Sequence, residues 1–201
     1  MLPILARFRG LYEQTTIPLG KICLRLGITP DMLTITSLVA GGLAAYVTAR
    51  GAFWWGIALI LVMGMFDMLD GATARAGGTA NPFGTVFDHV VDRYAEFLIL
   101  LGVMMSGAVN PGWAMFSLFG MIMASYVRAR AESTGLVSSC NVGFAGRQEK
   151  LALLMLGMLL QPMFPELRLL EWGVIAVGVA SHITAVQRLL YTRRVILDAK
   201  R

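Results

Sequence analysis

The amino-acid sequence predicts an all-α integral membrane protein with six transmembrane helices, preceded by an amphipathic juxtamembrane helix. Three observations support this fold class: an apolar composition, six apolar segments of spanning length, and basic residues concentrated on one side of the predicted membrane. Of the 201 residues, 57% are hydrophobic and only 14% are charged, whereas about a quarter of the residues of a soluble domain are charged. The length is that of one domain, so we expect a single membrane domain over residues 1–201.

The first predicted element is a helix on the membrane surface, at residues 1–22. This stretch mixes basic and apolar residues, and it lacks the continuous apolar run of a cleavable signal peptide. Such a composition is typical of an amphipathic helix that lies in the interface of the bilayer.

Six apolar segments of about spanning length follow, and turn signals such as Asn110-Pro111-Gly112 separate them. Together they predict a transmembrane core over about residues 33–190. The segments lie at 33–50, 53–75, 83–107, 112–134, 148–163 and 169–190.

The basic residues orient these segments. Six spans place both termini on one side, and all of the 17 Lys and Arg residues except Arg50 and Arg168 fall on that side. Because positively charged loops mark the cytoplasmic face, we expect a cell-membrane protein whose two termini face the cytoplasm.

Four aspartates form the main candidate site. Asp67 and Asp70 are three residues apart, and Asp88 and Asp92 are four apart, so each pair shares one face of its helix. A turn at 77–82 would fold the second helix back on the first, so that the carboxylates face each other. Unpaired carboxylates would repel one another there, and oxygen ligands suit hard cations. The sequence therefore predicts two divalent ions, Mg²⁺ or Mn²⁺, on the cytoplasmic side.

Glycines and an arginine in register with the aspartates point to a phosphorylated substrate. Gly71 and Gly84 lie on the carboxylate faces, where they remove side chains that would obstruct a close ligand. Arg75, one turn beyond Gly71, could bind phosphate or anchor the helix at the interface. Mg²⁺ usually completes its coordination shell with substrate phosphates, and paired metals are typical of phosphoryl chemistry.

These residues match a family signature. The pattern Asp67-x-x-Asp70-Gly71-x-x-Ala74-Arg75, eight residues, Gly84-x-x-x-Asp88-x-x-x-Asp92 resembles that of the CDP-alcohol phosphotransferases. In that family the hydroxyl of an acceptor alcohol attacks the β-phosphorus of a CDP-linked lipid, and CMP leaves. The resemblance implies that Asp67, Asp70 and Asp88 bind metal. It implies that Asp92 binds the second metal and also takes the hydroxyl proton. The residues that it assigns to the CDP moiety are Thr29, Pro30, Asp31, Met32, Gly71, Arg75 and Asn81.

A second resemblance concerns the acceptor. The stretches SYVRARAESTG at 125–135, GRQEK at 146–150 and ITAVQR at 183–188 look like the phosphatidylinositol-phosphate and archaetidylinositol-phosphate synthase branch. There, serine and basic residues on three helices bind the phosphate of inositol 1-phosphate, and a dianion does need several converging cations. The second basic residue of the middle stretch is Lys150 where relatives often carry arginine, which leaves glycerol 3-phosphate as an alternative acceptor. The matching positions are Ser125, Arg128, Arg130, Arg147 and Arg188.

The resemblance also sets the expected partners: CDP-diacylglycerol or CDP-archaeol as donor, the lipid bilayer, a second copy of the chain in a homodimer, and no nucleic acid. Two other classes remain as alternatives. A cation transporter can place acidic residues inside a membrane, but it usually shows an internal repeat and broken helices near the midplane. An intramembrane prenyltransferase binds diphosphate through Asp-rich motifs and Mg²⁺, whereas this chain has one clustered signature.

Overall fold

The computed structural model describes residues 9–199, and their side chains from residue 16 onward. Within this range the regular secondary structure is helical throughout, so the all-α prediction is confirmed. A short 3-10 helix at Pro165–Leu167 precedes the last α-helix. The α-helices are α1 (Arg9–Arg25), α2 (Pro30–Ala49), α3 (Phe53–Gly77), α4 (Pro82–Met105), α5 (Pro111–Glu132), α6 (Arg147–Leu160) and α7 (Leu169–Asp198).

Capping residues explain where three of these helices begin. α2, α4 and α5 each have proline at the first helical position, where the missing N–H removes no intrahelical hydrogen bond. The residues before these prolines, Thr29, Asn81 and Asn110, each accept a hydrogen bond from a backbone N–H of the first turn. These caps satisfy N–H groups that the helix itself cannot.

Three helical stretches of the described chain are long and apolar enough to cross a membrane: Pro30–Ala49, Phe53–Gly77 and Pro165–Asp198. The protein is therefore a membrane protein, although the count of six spans stays a prediction. The six predicted segments overlap α2 to α7 in order. However, α6 has only 14 residues, fewer than the roughly 20 that span a bilayer.

Several predicted boundaries differ from the observed ones, and at the ends of the last two helices the difference has a physical reason. The fifth segment was expected to reach residue 163, but α6 ends at Leu160, because Pro162 and Pro165 cannot continue a helix. The sixth was expected to end at residue 190, but α7 continues to Asp198. Long basic side chains such as Arg193 can extend toward water from the end of an apolar helix.

The described part of the predicted juxtamembrane helix is α1, which packs against α3. At Gly20 the two backbones approach so closely that a Cβ atom would lie 2.6 Å from the carbonyl carbon of Ala72. Residues 1–8 of the prediction lie outside the described residues, and the helix ends at Arg25 rather than at residue 22. The location of α1 on the membrane surface stays a prediction.

The described chain divides into two compact units, 9–107 and 108–199, and the single domain over 1–201 stays a prediction. In the first unit, α2 packs against both α3 and α4. Gly102 of α4 lies against the backbone of Ala45 in α2, where a Cβ atom would come within 2.6 Å of the Ala45 Cα atom. Thus α2 is the helix that holds α3 and α4 beside each other.

In the second unit, α7 packs against both α5 and α6. The Ser117 hydroxyl in α5 donates a 2.5 Å hydrogen bond to the carbonyl of Val174 in α7. The loop at 133–146 also folds onto α7, where the backbone N–H of Ala145 donates to the Thr184 hydroxyl. Cys140 in this loop is a buried free thiol.

Candidate active site and metal centre

Three of the four predicted aspartates form a compact acidic cluster. Asp67 lies on α3, and Asp88 and Asp92 lie one turn apart on α4. Each of the three offers a carboxylate oxygen, and these oxygens all lie within 4.8 Å of one another. Asp92 is buried, and the other two are half-buried. Like charges this close repel one another unless a cation lies among them, and hard oxygen donors suit Mg²⁺ or Mn²⁺. The residues present therefore fit a divalent metal.

Asp70 is held separately, by a contact with α2. Its carboxylate lies outside the group of three, and its Oδ2 accepts a 2.6 Å hydrogen bond from the Thr34 hydroxyl. Only 6% of Asp70 is exposed. Since α2 also packs against α4, it positions both halves of the acidic motif. Sequence reasoning did not single out Thr34, although it lies in the stretch LGITPDMLT that contains the predicted CDP-binding turn.

Gly71 and Arg75 form one local unit on α3. A Cβ atom on Gly71 would lie 3.2 Å from Nη1 of Arg75, so the guanidinium lies over the glycine. Arg75 is exposed. Because Gly71 has no side chain, the Arg75 guanidinium has room to lie over this glycine, which follows Asp70 in the sequence.

Two predicted CDP-binding regions are helix N-termini. Asn81 accepts a 2.8 Å hydrogen bond from the Gly84 backbone N–H through Oδ1, and its Nδ2 donates to the Thr79 carbonyl at 3.1 Å. Thr29 accepts a 3.3 Å hydrogen bond from the Met32 backbone N–H. Pro30 begins α2, and the side chains of Asp31 and Met32 are exposed. Both regions have a structural explanation as caps, and their contacts with CDP stay a prediction.

Arg188, one of the predicted acceptor residues, ties together parts of the second unit. It is 8% exposed, and it donates to the Val142 carbonyl at 2.9 Å through Nε and to the Ala124 carbonyl at 2.6 Å through Nη1. These bonds join α7 to α5 and to the loop at 133–146. Arg188 therefore holds this loop in place, independently of any role in binding the acceptor.

The other predicted acceptor residues differ in exposure. Arg128 forms a 3.1 Å ion pair with Glu132, which also accepts a 2.9 Å hydrogen bond from the Cys140 backbone N–H. Arg130, two residues further along α5, is exposed. Ser125 and Arg147, the first residue of α6, are half-buried. Glu132 was missed because the contact of one side chain with a loop backbone N–H eight residues further along leaves no sequence pattern.

An ion pair between the half-buried Arg93 and the buried Glu96 continues the acidic face of α4. Arg93 Nη2 lies 2.9 Å from Glu96 Oε1 and 3.7 Å from Asp92 Oδ2, and Glu96 is only 2% exposed. Sequence reasoning missed this acid as well. A signal was available, because residues 88, 92 and 96 repeat the four-residue spacing of one helix face.

The helices and the acidic cluster define a helical membrane protein with a carboxylate site for divalent metal. The chain belongs to the CDP-alcohol phosphatidyltransferase family, whose model matches residues 27–187. This match confirms the resemblance seen in the sequence. The protein is thus a membrane-bound, metal-dependent transferase of phospholipid synthesis.

Individual relatives fall in the branch that the sequence indicated. The chain is similar to the archaetidylinositol phosphate synthase of Methanothermobacter thermautotrophicus, with 30% identity over 192 residues that cover 94% of this chain and 93% of the relative. It is also similar to the crystal structure of Mycobacterium tuberculosis phosphatidylinositol phosphate synthase with CDP-DAG bound. That match has a TM-score of 0.79 and 32% identity, and it covers 89% of this chain and 94% of the other. A structure of the same mycobacterial protein with manganese and citrate matches with the same TM-score and identity, covering 88% of each chain.

Proposed function

We propose that the protein transfers a diacylglycerol-phosphate or archaeol-phosphate group from a CDP-lipid to inositol 1-phosphate and releases CMP. The observation that carries this proposal is the acidic cluster of Asp67, Asp88 and Asp92, which lies within the family signature. The similar proteins, which are inositol phosphate lipid synthases, support the choice of acceptor. Glycerol 3-phosphate is the second candidate, because Lys150 stands where relatives often carry an arginine.

The metal ligands would be Asp67, Asp70, Asp88 and Asp92, which together carry enough negative charge for two divalent ions. Mg²⁺ and Mn²⁺ are both suitable, and the similar mycobacterial protein has been crystallised with manganese. When bound, such ions stabilise negative charge on the diphosphate oxygens. In this arrangement the hydrogen bond from Thr34 would orient the Asp70 carboxylate.

Asp92 is proposed as the base. It is 7% exposed and is the most buried member of the acidic cluster, so it is shielded from bulk water. The acceptor hydroxyl would lose its proton to the Asp92 carboxylate while its oxygen attacks the β-phosphorus of the CDP-lipid. The bond between that phosphorus and the bridging oxygen then breaks, and CMP leaves with the bridging oxygen. A base of this kind typically contributes a rate factor of roughly 10² to 10⁴.

The CDP moiety would be held next to the acidic cluster by residues of α2, α3 and the start of α4. Arg75 is the main candidate for a phosphate contact, because its exposed guanidinium lies over Gly71 and can bind a phosphate with two parallel hydrogen bonds. The remaining proposed contacts come from Thr29, Pro30, Asp31, Met32 and Asn81.

The phosphate of the acceptor would be bound by basic residues of α5, α6 and α7. Arg130 is exposed, and so its charge is accessible to a soluble anion. Arg188 would contribute both by its charge and by ordering the loop at 133–146. Ser125, Arg128 and Arg147 complete the proposed set.

The cellular setting follows from the same reasoning. We place the protein in the cell membrane with six spans, with α1 on the membrane surface, and with the active site and both termini facing the cytoplasm. The excess of Lys and Arg on that side supports this orientation. The small residues of the apolar helices would allow close packing of two copies in a homodimer.

The test is a transfer assay with purified protein in lipid nanodiscs. CDP-diacylglycerol and CDP-archaeol are supplied in turn with inositol 1-phosphate, glycerol 3-phosphate, free inositol or no acceptor, and the release of CMP is measured in the presence of Mg²⁺. The proposal expects rapid release with inositol 1-phosphate only. Equal or faster release with glycerol 3-phosphate would assign the alternative acceptor, and no release with any acceptor would overturn the proposed function.

A further inference from the structure

The side chain of Glu96 requires an explanation, since it places a carboxylate in the buried part of a helix from an apolar chain. It is 2% exposed, and burial of a charge is costly unless the charge is paired. Its position on α4 is one turn beyond Asp92 and two turns beyond Asp88, on the same face. In place of a buried ion pair, well-packed apolar side chains of similar size often leave the stability of a fold unchanged or raise it.

The partner of Glu96 connects it to the acidic cluster. A single guanidinium nitrogen, Nη2 of Arg93, lies 2.9 Å from Glu96 Oε1 and 3.7 Å from Asp92 Oδ2. The Arg93 side chain is 30% exposed, so it lies between the protein surface and the interior in which Glu96 is buried. Of these two carboxylates, Glu96 lies nearer to this guanidinium nitrogen, and it is the closer ion-pair partner.

We propose that Glu96 is a positioning residue for the transfer reaction, and that it holds the Arg93 guanidinium against the Asp92 carboxylate. This inference rests on the proposed function of Asp92 as metal ligand and base. Arginine is long and has several rotatable bonds, so an unanchored Arg93 could turn toward the lipid headgroups or water. The ion pair with Glu96 keeps it beside Asp92 and thereby restricts the orientation of that carboxylate.

The charge balance supports the same role. A guanidinium alone at this distance from Asp92 would weaken the attraction of the acidic cluster for cations. The negative charge of Glu96 compensates the positive charge of Arg93, so the pair orients Asp92 without adding net charge. The loss of a residue that orients a metal ligand typically costs roughly ten- to a hundredfold in metal affinity or activity.

The test compares Glu96→Gln, Arg93→Met and the double variant in the purified full-length protein. Two quantities are measured: the dissociation constant of Mn²⁺, from the electron paramagnetic resonance signal of the free ion, and kcat with KM for CMP release. Each single substitution should weaken Mn²⁺ binding and lower kcat by about tenfold or more, with KM for the acceptor little changed. If Glu96 acts through Arg93, the double variant should be no worse than Arg93→Met. Losses that multiply in the double variant would overturn the proposal.

A matched control is present in the other unit. Arg168 and Glu171 form an ion pair with the same three-residue spacing and the same 2.9 Å separation, and neither belongs to the acidic cluster. Glu171→Gln should leave Mn²⁺ binding and kcat unchanged. If it lowers both as much as Glu96→Gln does, the effect is general damage to the protein, and the proposal fails.

If the Glu96→Gln protein does not fold, a second variant, Glu96→Asp, tests the proposal. Aspartate keeps the buried charge and its pairing with Arg93, so Mn²⁺ binding should stay within a few-fold of wild type. Mn²⁺ binding that is lost in the folded aspartate variant would contradict the positioning role. Acceptor use by the wild type is measured separately. If the wild type does not use inositol 1-phosphate, the proposed acceptor is wrong. If the Mn²⁺ affinities of the variants nevertheless follow the predicted order, the positioning role of Glu96 stands.

Discussion

Thr34 in α2 donates a 2.6 Å hydrogen bond to Asp70 in α3, across 36 residues of sequence. Both residues are buried. The bond couples the helix that begins at the proposed CDP-binding turn to one of the proposed metal ligands, so the orientation of Asp70 depends on the packing of α2.

Thr34→Val should therefore lower the rate of CMP release and weaken Mn²⁺ binding. Valine keeps the shape of threonine but cannot donate, and a hydrogen bond to a charged group contributes about 1.5–3 kcal/mol, which corresponds to a loss of roughly tenfold or more. Thr34→Ser, which keeps the hydroxyl, should retain most of the activity. The control is Thr36→Val. Thr36 is exposed and its hydroxyl donates to the Met32 carbonyl of its own helix, so equal losses in the two valine variants would refute a specific role for Thr34.

Gly71→Ala tests the contact between Gly71 and Arg75. The added Cβ atom would lie 3.2 Å from Nη1 of Arg75, so the guanidinium must move. If Arg75 binds the diphosphate, the main effect should be a higher KM for the CDP-lipid, and the KM for the acceptor should change little. Gly64→Ala on the same helix has open space around the added atom and is the matched control. An unchanged KM for the CDP-lipid in Gly71→Ala would place the diphosphate elsewhere.

Arg130 and Arg188 should differ when each is replaced by alanine. Both variants should raise KM for inositol 1-phosphate by roughly ten- to a hundredfold, because each loses a charge-assisted contact of about 1.5–3 kcal/mol. Only Arg188→Ala should also lower the thermal unfolding temperature, since Arg188 donates to the carbonyls of Val142 and Ala124. Unchanged acceptor kinetics in both variants, or efficient use of free inositol, would show that the basic residues only orient the protein in the membrane.

Asp92→Asn separates binding from chemistry. Asparagine has nearly the shape of aspartate but is not a base, so the variant should still bind CDP-lipid while it releases CMP roughly a hundred- to ten-thousandfold more slowly. Binding of a fluorescent CDP-lipid analogue and single-turnover CMP release measure the two properties. Near-normal turnover would assign the base to another residue.

The acidic motif could be predicted from the sequence because helix periodicity alone places Asp67 with Asp70 and Asp88 with Asp92. The short turn between α3 and α4 then brings the two faces together. The predicted starts of α4 and α5 were close: these helices begin at Pro82 and Pro111 against the predicted 83 and 112, whereas α2 begins at Pro30 and not at the predicted 33. A proline after Thr or Asn is a local signal for each of these starts.

The remaining contacts depend on packing between distant parts of the chain. Nothing near Thr34 indicates that its hydroxyl meets Asp70, and nothing near Arg188 indicates that it bonds to the loop at 133–146. The burial of Glu96 could not be seen either, because an acid in an apolar helix can also lie at the membrane surface. Its register with Asp88 and Asp92 was visible, and the ion pair with Arg93 is the contact on which its proposed role rests.

The central claim is that the acidic cluster is a metal centre at which a CDP-lipid is cleaved. The most direct measurement is CMP release from CDP-lipid and inositol 1-phosphate during titration with EDTA, followed by addition of Mg²⁺ or Mn²⁺, for the wild type and for Asp67→Asn, Asp70→Asn and Asp88→Asn. Asp198→Asn, at the exposed end of α7, serves as control. We predict that EDTA abolishes release, that either ion restores it, and that the three variants lose most activity while the control keeps it. Full activity in EDTA, or variants that turn over like the control, would contradict the account.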